Sequence, residues 1–149
     1  MKIGKNMNAE IEREIVQNFV QKRSKERLRW ELSSPKKRLG GMSKINKREY
    51  LDERKIYKIP HWSIDVLMKQ IFLLGGTRRT YYLSLDSYCQ TDDFPKEVDI
   101  CDAISMARQE IGGCILYFGN GIGYYHEGEP YDTHQEYILS ARPIKPFVK

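Results

Sequence analysis

Residues 114–125 run Cys-Ile-Leu-Tyr-Phe-Gly-Asn-Gly-Ile-Gly-Tyr-Tyr. Cys114 to Phe118 is a continuous apolar run, the pattern of a short strand. Asn120-Gly121 is a two-residue hairpin turn, because this pair tolerates the positive φ that the tight turn demands at both central positions. Tyr124 and Tyr125 then lie on a returning strand. An antiparallel hairpin is therefore expected near the C-terminus, with the neighbouring segments arranged about it.

Working outward, Asp99 is placed to cap a helix whose stripe is Ile100, Ala103, Ile104, Ala107 and Ile111, with Asp102 at the capping-box position and Gly112-Gly113 closing it. Asp92, Asp93 and Pro95 mark a loop before it. Tyr81, Leu83 and Leu85 alternate with Tyr82, Ser84 and Asp86, the period of a half-buried strand. Ser63 caps an earlier helix carrying Ile64, Leu67, Ile71 and Leu74, which Gly75-Gly76 ends. Downstream, a polar loop from Glu127 to Thr133 leads to a last strand at Glu136 to Ala141. Pro143 and Pro146 end regular structure. Residues 59–149 thus read α-β-α-β-β-β. The expected class is α+β, with about four mostly antiparallel strands and helices on one face.

Residues 1–58 are helical and basic. Asn8 can cap a helix over about residues 9–22, with Ile11, Ile15, Val16, Phe19 and Val20 on its apolar side. Ser24 is placed to open a second helix bearing Leu28 and Leu32, with Arg27 and Glu31 as an i, i+4 pair. Ser34-Pro35 ends it, since a residue before proline is pushed out of the helical region. Leu39-Gly40-Gly41 reads as a flexible joint. Met42, Ile45 and Leu51 support a weak third helix. Tyr57 to Pro60 reads as a connection or a short extended piece. The domain expectation is a basic helical segment over 1–58 and a mixed α/β part over 59–149, within one compact unit.

Residues 1–58 hold 17 Lys and Arg against 8 Asp and Glu, while residues 59–149 hold 8 against 12. The formal net charge of +5 therefore combines a basic half and an acidic one, which suggests an anionic partner for the first. A chain of 149 residues can bury a core without metal or disulfide staples. Cys89, Cys101 and Cys114 have no C-x-x-C spacing and read as reduced thiols. No apolar run reaches the roughly 20 residues of a spanning helix. The first residues lack the apolar core of a secretory signal, so a cytoplasmic location without membrane contact is expected.

Arg27-Leu28-x-x-Glu31-Leu32-Ser33-Ser34-Pro35-Lys36-Lys37-Arg38 resembles a segment shared by a group of small uncharacterised bacterial proteins. In that group an R-L-x-x-E-L-S/T-x-x-K-K-R stretch follows an opening helix, and the chain tends to end in a β-rich part with a tyrosine-bearing hairpin. The resemblance implies an architecture and no chemistry.

Three functions follow from residue types. Arg23, Lys25, Arg27, Arg29, Lys36, Lys37 and Arg38 form a cationic run with Trp30 inside it. Cations neutralise phosphates, and an exposed aromatic can stack on a base, so a non-catalytic nucleic-acid-binding role is expected. Ser34-Pro35-Lys36-Lys37 also matches the SPKK element of linker-histone tails. The alternative is an immunity-like or regulatory protein that binds a protein partner through Tyr124, Tyr125, Glu127, Glu129, Tyr131 and Asp132. A metal-dependent hydrolase is third, with His126 and His134 as weak ligand candidates, because no H-E-x-x-H or comparable ligand spacing occurs. No catalytic residue and no cofactor is expected, and the oligomeric state is left open. Gly119 to Gly123 is a turn and not a phosphate loop, since strands flank it on both sides.

Overall fold

The computed structural model describes residues 3–85, 95–110, 112–127 and 135–144. The protein is α+β, with five helices among the described residues and six strands. In chain order come α1 (Ile3–Phe19), α2 (Lys22–Ser33), α3 (Arg38–Ile45), β1 (Ile56–Ile59), α4 (Ile64–Leu74), β2 (Arg79–Leu83), β3 (Lys96–Asp99), α5 (Ile100–Ala107), β4 (Cys114–Tyr117), β5 (Ile122–His126) and β6 (Glu136–Ser140). The strands form one antiparallel sheet ordered β1-β6-β5-β4-β2-β3.

The hairpin forms as its sequence requires. Asn120 and Gly121 take φ of 55° and 76°, and the Ile122 amide donates to the Gly119 carbonyl at 3.1 Å. The cross-sheet register then runs Tyr81, Tyr117, Gly123, Leu139 and Ile56 in one row. The next row is Tyr82, Leu116, Tyr124, Ile138 and Tyr57. Because strand residues alternate in direction, successive rows face opposite sides.

Both sides are covered by helices, not one as the sequence suggests. Ile15, Val16 and Phe19 of α1, Leu28 and Leu32 of α2 and Met42 and Ile45 of α3 pack on Tyr81, Ile115, Tyr117, Tyr125 and Leu139. Leu67 and Ile71 of α4 and the Ile100–Ala107 stripe of α5 pack on Tyr82, Leu116, Phe118, Tyr124 and Ile138. The sheet is the middle layer of three. That explains the unbroken apolar run at Cys114–Phe118, since neither face of a central strand meets water. It also corrects the half-wet reading of Tyr81 to Leu85: Tyr82 and Ser84 are fully buried.

Two strands exceed the expected four. β3, Lys96-Glu97-Val98-Asp99, replaces part of an expected loop and pairs with β2 at one edge; β1 replaces a connection and pairs with β6 at the other. The caps at Ser63 and Asp99 form, their side chains accepting from the Val66 and Cys101 amides at 3.2 Å each. Gly75 ends α4 in the left-handed region, at φ 110°. Other boundaries move. α1 already begins at Ile3, so Asn8 lies within it, and α2 opens after Gln21 with no side-chain cap, not at Ser24. Gly40-Gly41 is helical and not a joint, because α3 crosses α2 there: a Cβ on Gly41 would sit 3.1 Å from the Glu31 Cβ and 3.2 Å from the Leu32 amide nitrogen. α5 ends at Ala107 and does not run on through its last turn toward Ile111, which lies outside the described residues.

Candidate nucleic-acid interface

α2 has the sequence Lys-Arg-Ser-Lys-Glu-Arg-Leu-Arg-Trp-Glu-Leu-Ser. Leu28, Glu31 and Leu32 are its buried residues. With each residue turned by about 100° from the last, these three define the inner side. The opposite arc holds Lys22, Arg23, Glu26, Arg27 and Ser33, all exposed, and Trp30 stands at its centre with 50% of its surface open. The Arg27 guanidinium lies over the indole, 5.1 Å from the ring centroid, a cation–π contact. Arg29, half-buried at one border, donates to the Gln17 side chain at 3.3 Å. Lys25 is also half-buried and lies at a border of the arc. Burial and the neighbouring Lys55 charge hold its amine below the usual lysine range.

After α2 the chain turns at Ser34-Pro35-Lys36-Lys37. The Lys37 amide donates to the Ser34 carbonyl at 3.1 Å, with proline at the second position, where its fixed φ suits a β-turn. Pro35, Lys36 and Lys37 are all exposed. Arg23, Arg27, Trp30, Lys36 and Lys37 are thus exposed on α2 and in the turn that follows it, with Arg29 half-buried.

Arg38 leaves this set. It forms a bidentate pair with Glu12, at 2.8 Å and 2.6 Å, and also donates to the Leu32 carbonyl at 2.8 Å. Glu12 is buried and accepts a further bond from the Tyr81 hydroxyl at 2.6 Å. Arg38 thus ties α1 to α3 and the sheet. A second internal carboxylate, Glu31, accepts from Arg27 at 2.7 Å and Lys44 at 2.9 Å. Burial acts to raise the Glu31 pKa, but the hydrogen bonds from Lys44 and Arg27 outweigh this and hold the carboxyl below its ordinary value.

The proposed tyrosine face is corrected by burial. Tyr124 and Tyr125 are 0% and 2% exposed, so neither is open to a partner. Their hydroxyls donate to Glu136 and to the Asn46 carbonyl, each at 2.9 Å. Tyrosine is apolar enough for a core when its hydroxyl finds a partner, and here α1–α3 cover Tyr125 while α4 and α5 cover Tyr124. Glu127 is half-buried and accepts from Tyr137 at 3.4 Å. Glu129, Tyr131, Asp132 and His134 lie outside the described residues, as does Cys89. His126 is buried on β5, between Cys114 and Glu136 in the register. Among the described residues no three His, Cys, Asp or Glu side chains gather as a cation site.

Sequence reasoning misses one polar hub. Glu136, 2% exposed, accepts from Tyr124 at 2.9 Å and from Arg108 at 2.9 Å and 3.2 Å, and faces His61 Nδ1 at 2.5 Å. Arg108 also donates to the Trp62 carbonyl at 2.6 Å. Beside it, Glu110 accepts from Tyr82 at 2.5 Å and Ser84 at 3.0 Å. Burial first, and the Glu136 charge second, push the Tyr124 phenol well above its ordinary value. The one sequence signal is the inward alternation of Glu136, Ile138 and Ser140. No helix of the described residues is long and apolar enough to cross a membrane. In comparisons with known proteins no family model matches the chain, and neither a curated protein nor a solved structure does.

Proposed function

We propose that this protein binds nucleic acid without catalysis, through the outer arc of α2 and the Ser34–Lys37 turn. The observation that carries the reading is Trp30, half exposed at the centre of an arc whose other residues are mostly cations. The exposed half of a large aromatic at such a place gains nothing from folding, whereas phosphate neutralisation and base contact use both residue types. We also propose, from residues 27–38 alone, kinship with the small bacterial group that shares the R-L-x-x-E-L-S/T-x-x-K-K-R segment. The test is polarisation of labelled DNA and RNA at low salt and near roughly 150 mM salt. Binding should persist at the higher salt and be lost in the Arg23→Glu, Lys36→Glu, Lys37→Glu variant. Binding seen only at low salt, or indifferent to the three reversals, sinks the reading.

A protein partner is the second reading, and one observation favours it. α4 exposes Val66, Phe72 and Leu73, the last 72% open, on its outer side. An immunity-like or regulatory contact would use that helix in place of the buried tyrosines. Leu73→Asp should then break a stoichiometric complex and leave nucleic-acid binding untouched; a complex that survives the change removes α4 from consideration.

A further inference from the structure

We infer that the α2 surface takes single-stranded nucleic acid, DNA or RNA, with one unpaired base stacked on Trp30. The inference rests on the nucleic-acid reading above and names the form of the ligand.

Three features of the surface select a single strand. The first is how α2 is seated. It packs against α1 and α3 as well as the core, and Leu28, Glu31 and Leu32 anchor its inner side. A helix that reads duplex must enter a major groove about 8.5 Å deep. α2 is held in a layer and offers only an arc of roughly 160° of its circumference. The second is the identity of the central residue. In a duplex the base faces are already stacked, so an indole at the middle of the contact has no ring to meet and must pry bases apart. In a single strand each base presents a free π-face.

The third is the company Trp30 keeps. Arg27 lies over the indole at 5.1 Å and is itself held by Glu31 at 2.7 Å. The ring is thus flanked by a positioned guanidinium, and a base on its open part would complete a stack of guanidinium, indole and base. Cations stand before and after the platform. Lys22 and Arg23 lie about two turns toward the N-terminus, and Lys36 and Lys37 follow in the turn. From Lys22 to Ser33 the helix rises roughly 17 Å, long enough for a short run of nucleotides to cross Trp30 with phosphates near both groups. Glu26 is the acidic residue on the arc, beside Arg23 and Arg27, where it limits phosphate approach on that flank.

The experiment uses the full chain with labelled dT and rU oligonucleotides of roughly 12 nucleotides and a mixed-sequence duplex of the same length, within the site sizes of single-strand binders. The expected result is single-strand binding at least about tenfold tighter than duplex binding. Trp30→Ala should cost the single strand roughly 5- to 150-fold, the range for loss of one stacked base, and cost the duplex less. Trp30→Phe should restore part of the loss. In a Trp62→Phe background, Trp30 emission should be quenched as single strand is added. Equal affinity for duplex and single strand with no effect of Trp30→Ala overturns this inference and leaves the nucleic-acid reading standing. Failure of every ligand to bind near roughly 150 mM salt overturns both. A preference between dT and rU tells which of the two strands, differing in the 2′-hydroxyl and the C5 methyl, the site favours; tight binding to either supports it.

Discussion

Glu136→Ala should destabilise the protein more than any exposed substitution. The carboxylate is buried and holds the Arg108 guanidinium, whose side chain is 14% exposed, and the buried Tyr124 hydroxyl. Removing it leaves a nearly buried cation without its counter-charge and a buried hydroxyl without its acceptor. Breaking one side of a buried pair costs about 3–5 kcal/mol, and an orphaned hydroxyl about 1–3 kcal/mol. These overlap, because Arg108 keeps its bond to the Trp62 carbonyl, so about 3–5 kcal/mol is the expected total. That is a large part of the ~5–15 kcal/mol that holds a domain together. Equilibrium urea unfolding should show the midpoint fall by about 1–3 M with little change in slope. His61 touches the same carboxylate but is 72% exposed, so His61→Ala should cost less than about 1 kcal/mol. Arg108→Met with Glu136→Leu should cost less than Glu136→Ala alone, since both charges leave together. A loss below about 1 kcal/mol for Glu136→Ala, or equal losses for Glu136→Ala and His61→Ala, would refute the hub as an anchor between the sheet and the α4–α5 layer.

Alkaline unfolding should be abrupt. Tyr81, Tyr82, Tyr117, Tyr124, Tyr125 and Tyr137 are all held above the ordinary phenol value, chiefly by burial, with Tyr117 pushed up to about 12. The folded state then retains protons that the unfolded state gives up near pH 10, so their contribution is complete below about pH 10 and is lost as the pH rises toward the folded-state values. The tyrosinate absorbance of these six should rise in one step together with the loss of near-ultraviolet dichroism; their smooth titration with the fold intact is the opposing outcome. Gly123→Ala should cost about 1–3 kcal/mol, because its Cβ would lie 2.8 Å from the Leu116 carbonyl and 3.2 Å from the Phe19 ring. Gly40→Ala, within α3 and with nothing inside 4 Å, should instead add about 0.5–1 kcal/mol; thermal or urea midpoints decide both. In a Cys89→Ala background, a thiol reagent should modify exposed Cys101 at once and buried Cys114 only on unfolding. Glu26→Gln should tighten nucleic-acid binding and steepen its salt dependence, and a weaker complex would argue against the α2 arc as the contact.

What the sequence discloses here is what a few neighbouring residues decide among themselves. The Asn120-Gly121 turn, the Ser63 and Asp99 caps and the Ile100–Ala107 part of the α5 stripe formed where local rules put them, because each depends on residues within one or two turns. β3 escaped notice because Lys-Glu-Val-Asp has no apolar period; it is a strand only because β2 lies beside it. The second helical layer escaped notice because tyrosine and serine suit water as well as a core, so Tyr82 and Ser84 could not disclose their side. Gly41 looked like a break and is a contact, a distinction that depends on α2 and not on its own neighbours.

The cationic surface is where charge counting and folding part company, and the difference bears on function. The first 58 residues carry a large excess of cations, yet the fold spends several of them internally. Glu12 takes Arg38 from 26 residues away, and Glu31 takes Lys44 and a share of Arg27. These pairs are set by how α1, α2 and α3 cross, so the sequence alone could not separate Arg38 from Lys36 and Lys37 beside it. On the α2 arc and in the turn after it, Lys22, Arg23, Lys36 and Lys37 stay open, before and after an indole at the centre of the exposed arc. If solvation were their whole purpose, a lysine or glutamate would serve at that position as well as Trp30, because the exposed half of the indole contributes no stability to the fold. Its placement there, with a guanidinium already fixed over the ring, is therefore the feature that turns a charged helix into a candidate binding surface.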